Sequence, residues 1–261
     1  MTEPVYITGA GAITSLGPDL DALFDALLAN RTGICNLARF DTRSYSSVYA
    51  GVINALDEKK RLPLIYQLAD LLIHQIGPVN ADTILIVAST KAGIDRLTQD
   101  VISPENIPAG LLLSDLTGYI SKKIGLEQEG ININSACASS TIAIAKGATL
   151  IESGCADAIL VCCLDTVSQF VFSGFSALGA MSDTPARPFD RNRNGLTLGE
   201  GAAAIMLMNE KRALALGRPK LARISGWGIS GDAVHLTAPA KNGSGLIQAI
   251  NSACKKAGIR T

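Results

Sequence analysis

ININSACASSTIAIAKGATLIESG, residues 131–154, changes its periodicity at one point. Ile131–Asn134 alternates as a short strand does. From Ser139 to Ser153 the chain is apolar around nearly the whole helical circumference, with Lys146 and Glu152 as its only charges, and Gly154 supplies a stop. A helix that is apolar on every side belongs between layers rather than on a surface. A strand therefore turns abruptly into an interior helix, and Cys137 stands at the corner.

Working outward, short β-rich runs alternate with helical ones, which predicts an α/β layer architecture. The runs read as strands are Val5–Ala10, Tyr49–Ile53, Thr83–Ala88, Ile131–Asn134, Ala158–Leu164, Ala203–Met208 and Leu221–Trp227. The first helix is expected after Pro18, with Asp19 as its cap and Leu20, Leu23, Phe24, Leu27 and Leu28 on one face. Further helices are expected over Ile65–Ile76, Leu111–Ile124, Ser139–Ser153, Glu210–Leu216 and Gly245–Ala257, each followed within a residue by glycine. Ser182–Gly201 is polar and glycine-rich and reads as a long ordered loop of the kind that carries function. A boundary falls near Gly217-Arg218-Pro219, dividing the chain into residues 1–216 and 217–261.

The 261 residues carry 23 basic and 23 acidic side chains, so the net charge is zero and nucleic acid is excluded as the main partner. Aromatic residues make up only 5%, which also argues against a base-stacking surface. No apolar run reaches the ~18–20 residues a membrane span requires, and the start has no signal-peptide pattern. The six cysteines include no C-x-x-C pair, so no metal site is expected and a cytoplasmic location with reduced thiols is the simplest reading.

At a helix start, unpaired N–H groups and the helix dipole favour an anion. A cysteine there is a better nucleophile, and the same N–H groups suit an oxyanion. Cys137, flanked by Ala136, Ala138, Ser139 and Ser140, is thus the candidate nucleophile; packing is the alternative for any lone cysteine. His74 and His235 are the only histidines; His74 lies in a helical pattern, and His235, in a loop, fits a structural or channel role better than that of a base. GAGAITSLG, residues 9–17, lacks the third glycine and the later acidic residue of a dinucleotide site, so Gly9 and Gly11 read as packing glycines. Asp190, Arg191 and Arg193 read as loop ion pairs, and Glu200, between Gly199 and Gly201, as a structural charge anchor in a tightly packed backbone.

Five segments in order resemble the β-ketoacyl-acyl carrier protein synthases, nearest to the elongating type. They are Asn-Ser-Ala-Cys137-Ala-Ser-Ser, Gly174-Phe175-Ser-Ala-Leu, Ala186-Arg-Pro-Phe-Asp190-Arg-Asn-Arg-Asn-Gly195, Leu198-Gly-Glu200-Gly-Ala and Asp232-Ala-Val-His235-Leu-Thr237-Ala-Pro239. The resemblance implies a thiolase-like layered α-β-α fold, in which two similar halves each contribute a five-stranded mixed sheet around buried helices. On that reading residues 1–216 form the first half and 217–261 the first strand–helix unit of the second. It implies that Cys137 takes an acyl chain from a carrier-protein thioester, and that malonyl-carrier protein then decarboxylates and condenses with it. Phe175 would form the acyl-pocket wall, Thr237 would hold the pantetheine arm, and Ala88–Gly93 would lie near the pocket. No cofactor is implied beyond the phosphopantetheine of the acyl carrier protein. A homodimer or heterodimer paired through Ala158–Leu164 is implied as well.

The resemblance also places two catalytic histidines and a lysine downstream of the helix matching Gly245–Ala257, whereas the sequence stops at Thr261. An incomplete enzyme is the expectation: a shortened, proteolysed or split chain. A non-catalytic partner subunit of the chain-length-factor kind is the alternative, although such partners usually lack the cysteine. Gly179 stands where many relatives have an arginine for carrier docking, and Lys59, Lys60, Arg61, Lys122 and Lys123 are candidates to compensate.

Overall fold

The computed structural model describes residues 3–98, 110–235 and 238–260. Its elements run β1 (Val5–Thr14), α1 (Leu20–Leu28), β2 (Ile34–Asn36), β3 (Tyr49–Gly51), α2 (Leu64–Ile76), β4 (Ile84–Ala88), a 3₁₀ turn (Ile94–Thr98) and α3 (Leu113–Ile124). They continue with β5 (Ile131–Ile133), α4 (Ser139–Glu152), β6 (Ala158–Asp165), α5 (Gln169–Ala177), β7 (Leu198–Gly199), β8 (Gly201–Asn209), α6 (Glu210–Ala215), β9 (Ala222–Ile224) and α7 (Ser244–Ala257). The cap foreseen for α1 is in place: Asp19 Oδ1 accepts from Ala22 N at 2.8 Å.

Six strands form the main sheet in the order β5-β4-β6-β8-β1-β9, and β2, β3 and β7 form a small second sheet. The β5-β4-β6 portion is parallel, and β8, β1 and β9 add antiparallel pairings. The sheet is thus one strand wider than expected, because β9, from beyond Gly217, hydrogen-bonds to β1. Gly9 and Gly11 lie inside β1: a Cβ on Gly11 would stand 3.1 Å from Gln75 Cβ, so its smallness lets α2 lie close against the sheet.

One face of the sheet carries α2 and α3. Leu64, Ile65, Leu68 and Leu72 of α2 are fully buried there against Leu85, Leu160 and Cys162. The other face carries α4, whose Ala143, Ala148 and Ile151 pack on Ile86, Ile159 and Leu207. Gly147 brings α4 down onto the strands, since a Cβ there would lie 3.0 Å from Leu207 Cδ1. The outer face of α4 differs from expectation. Thr141, Lys146 and Thr149 are exposed and Ile142, Ile144 and Leu150 half-buried, so the described residues cover only one side of this apolar helix. Lys256 of α7 reaches Glu152 at the end of α4 at 2.9 Å and lies over the Trp227 ring.

One expectation is corrected. Ala158–Leu164 cannot pair with a second chain, because β6 is central and hydrogen-bonded to β4 on one side and β8 on the other. Among the described residues, the edge strands of the six-stranded sheet are β5 and β9.

Candidate functional site

The parallel strands β4 and β6 end at Ala88 and Asp165, with β5 beside them at the edge, and the site gathers beyond those ends. After β5 the chain makes a tight turn into α4. Ala136 takes φ 48°, in the left-handed region that non-glycine residues occupy only at a cost. The turn is held by its own polar groups. Asn134 Oδ1 accepts from Ala136 N at 3.3 Å, and Ser139 Oγ accepts from Ser135 N at 2.8 Å while donating to Ala136 O at 2.7 Å. Cys137 lies at the crest, exposed, next to Ala138, the N-cap of α4. The corner read from the sequence is where the structure puts it, at the positive end of a helix.

Cys137 opens into a cavity of about 300 Å³. Phe175 and Val171 of α5, Val167 and Leu198 form its apolar wall, and Thr90, Lys91 and Asp165 its polar side. The structure therefore brings together Cys137 and Phe175, and adds Thr90 and Lys91 from the segment that the resemblance had placed nearby. Asp165 secures that side by accepting from Ser89 Oγ at 3.2 Å and from Thr90 N and Oγ1 at 3.0 Å each. Asn134 Nδ2 donates to Thr90 O at 3.2 Å, tying the same loop to the cysteine turn.

Glu200 lies behind the wall, 4% exposed. It makes a two-pronged ion pair with Arg39, at 2.6 and 2.8 Å, and accepts from Ile53 N at 2.6 Å and Val167 N at 3.1 Å. Its flanking glycines signalled close packing; no local pattern marked Arg39, 161 positions away. Thr237 lies outside the described residues. His235 is exposed, its Nδ1 accepting from Ala238 N at 3.1 Å, and does not line the cavity. The cysteines of β6 are different in kind. Burial pushes the Cys162 thiol up, and burial followed by the neighbouring Asp165 charge pushes that of Cys163 up to about 11. A larger depression of about 760 Å³, on the α2–α3 face, is lined by Tyr66, Tyr119 and charged side chains, with no cysteine or histidine among the described residues that line it.

Residues 76–213 match the model of the β-ketoacyl synthase N-terminal domain. The chain belongs to the β-ketoacyl synthase family. The 3-oxoacyl-acyl-carrier-protein synthase 2 of Vibrio cholerae is 30% identical, over 98% of this chain and 70% of that protein. A structure of the ketosynthase ApeO in complex with its chain length factor ApeC, from Xenorhabdus doucetiae, superposes with a TM-score of 0.80 at 26% identity, covering 98% of this chain and 69% of the other. The ishigamide ketosynthase/chain length factor shares the fold at a TM-score of 0.85 and 24% identity, covering 100% of this chain and 71% of that one. The fold is thus the thiolase-like layered fold of ketosynthases, and the chain is an acyltransferase of the condensing class. Among the described residues, no helix is long and apolar enough to cross a membrane.

Proposed function

We propose that this β-ketoacyl synthase forms an acyl-enzyme on Cys137 as the first step of 3-oxoacyl-acyl-carrier-protein synthesis. Sγ of Cys137 attacks the thioester carbonyl of an acyl-pantetheine, the carbon–sulfur bond to pantetheine breaks, and the thiol proton leaves with the pantetheine sulfur. The acyl chain then lies along Phe175, Val171 and Val167. In the second step malonyl-carrier protein loses CO₂. The resulting carbanion attacks the acyl carbonyl, Cys137 departs, and the product is a 3-oxoacyl chain two carbons longer. Covalent capture divides one difficult condensation into two easier steps. Among the described residues no histidine lines the cavity, so what they support directly is the acyl-transfer step.

The observation that carries this reading is a single one. An exposed cysteine stands at the start of α4, on a strained turn, and faces a cavity of about 300 Å³ with an apolar wall. On this reading Glu200 anchors charge behind the wall, and Thr237 holds the pantetheine arm. The only prosthetic group is the pantetheine of the carrier. Lys59, Lys60, Arg61 and Lys122 are exposed and form the docking surface for the acidic carrier, with Lys123 partly neutralised by Asp70 at 3.3 Å. A second ketosynthase-type chain pairs along β5, an edge strand with Ile131 at 45% exposure.

Mass spectrometry after incubation with acyl-carrier protein tests the proposal. The expected result is one acyl adduct on Cys137, absent from Cys137→Ala. Folded protein that takes no adduct overturns it in favour of a chain-length-factor-like subunit.

A further inference from the structure

The Arg39–Glu200 pair does more than neutralise two charges. Arg39 is 7% exposed at its side chain and Glu200 0%, and both grip the same residue of the cavity wall. Arg39 Nη1 donates to Val167 O at 2.7 Å, and Glu200 Oε2 accepts from Val167 N at 3.1 Å. Val167 is therefore fixed at both of its backbone groups. The next residue, Ser168, is the N-cap of α5, accepting from Val171 N at 3.4 Å. The clamp thus sets where α5 begins, and α5 carries Val171 and Phe175 into the cavity.

The far side of α5 is fixed independently. Phe172 is fully buried edge-on to Phe40 and Tyr45, and Tyr45 Oη lies 2.6 Å from Ser173 Oγ. With that side seated, the start of the helix is the point from which the wall can be moved. A planar guanidinium bound in two-pronged fashion to a carboxylate holds its partners in one geometry, which a lysine cannot reproduce. A buried ion pair by itself gives little net stability over an apolar pair. An apolar pair, however, would leave the Val167 and Ile53 backbone groups without partners.

We infer that Arg39, acting through Glu200 and Val167, is a positioning residue that sets acyl-chain selection at Cys137. This rests on the acyl-enzyme reading above. On that reading an eight-carbon chain on Cys137 extends further along Val167, Val171 and Phe175 than a two-carbon chain does. Displacing the wall therefore penalises the long chain selectively.

The test compares the full chain with its Arg39→Lys and Glu200→Gln variants. Each is treated separately with two-carbon and eight-carbon acyl-pantetheine thioesters and with iodoacetamide, and the rate of mass addition at Cys137 is read. The expected result is a fall of about tenfold in the eight-carbon to two-carbon rate ratio, with the iodoacetamide rate within about twofold of the parent. A ratio within about twofold of the parent in a variant with native near-UV circular dichroism overturns the inference. So does an equal fall with all three reagents, the mark of a purely structural role. Glu200→Gln keeps the shape of the carboxylate, so it decides the matter where Arg39→Lys does not fold. Failure of both to fold also overturns the inference, because the pair would then only hold the fold together. A parent chain that takes iodoacetamide but neither thioester overturns the acyl-enzyme reading itself, an outcome visible before any variant is made.

Discussion

Cys137 and the adjacent pair Cys162–Cys163 carry the same functional group at the same end of one sheet. In register, Cys163 lies beside Ala88 of β4, and Ala88 beside Ile133, four residues before Cys137. Yet Cys162 is 0% exposed in a strand hydrogen-bonded on both sides, while Cys137 is exposed on a turn at a helix start. The backbone, not the residue type, separates a core side chain from a nucleophile. A central strand has committed its N–H and C=O groups and lays its side chains into packed layers. A strand-to-helix turn presents its side chain to a cavity at the positive end of the helix dipole.

The largest expected effect is in labelling. In native protein, iodoacetamide modifies Cys137, whereas Cys162 reacts only through unfolding. With stability in the usual ~5–15 kcal/mol range, its rate lies at least about a thousandfold lower. Peptide mapping of the alkylated protein checks this, and comparable rates at the two positions would erase the distinction. Glu200→Ala narrows it. Arg39 would be left buried without its counter-charge, and the N–H groups of Val167 and Ile53 without their acceptor. A loss of about 3–5 kcal/mol is expected in denaturant melts. Cys162 labelling then accelerates by the corresponding factor, while Cys137, already open, changes little.

What the sequence revealed divides along the same line. The turn at Cys137, the cap at Asp19 and the apolar α4 are local: period, capping residue and stop signal lie within a few positions of one another. α5 was not legible. Gln169–Ala177 has phenylalanines, a valine and a glycine in place of good helix formers. It is helical because Ser168 caps it and the Phe40–Tyr45–Phe172 cluster seats it. Arg39 was invisible for the same reason, its partner being distant in the chain. Strand order also depends on distant pairings, and so the sequence points the dimer contact to Ala158–Leu164, which the structure makes the central β6. Phe175 was found by resemblance to a motif, and its place opposite Cys137 required α5.

The buried thiols also leave a pH signature. Burial and then the Asp165 charge push the folded Cys163 thiol up to about 11, and burial raises Cys162 as well, whereas an unfolded cysteine lies near about 8.5. Above that pH the unfolded chain gives up protons that the folded chain keeps. The stabilisation is therefore complete below about pH 8.5 and is lost as pH rises towards the folded values, at about 1.4 kcal/mol per pH unit for each thiol. Urea melts between pH 8 and pH 10 should show this decline, and replacing both residues by alanine should flatten it. A slope unchanged by that replacement would mean that the thiols of β6 are not held protonated by the fold.

The smallest effect concerns the turn itself. Asn134 supports the left-handed Ala136 through Ala136 N and links it to Thr90 O. Both bonds lie in an exposed setting, so Asn134→Ala should cost only about 0.5–1.5 kcal/mol. Its effect on Cys137 should be larger than that figure suggests, because the bonds hold the turn that carries that side chain. Acylation is expected to slow about tenfold, with Cys162 and Cys163 as protected as before. Ala136→Gly is the counterpart. Glycine adopts a positive φ without strain, so stability should hold or rise, but the turn also gains freedom to leave its geometry. If glycine at 136 restores the melting temperature of Asn134→Ala without restoring its acylation rate, the asparagine serves to aim the nucleophile. If both recover together, Asn134 merely offsets the strain at Ala136, and Cys137 needs no aiming beyond the start of α4.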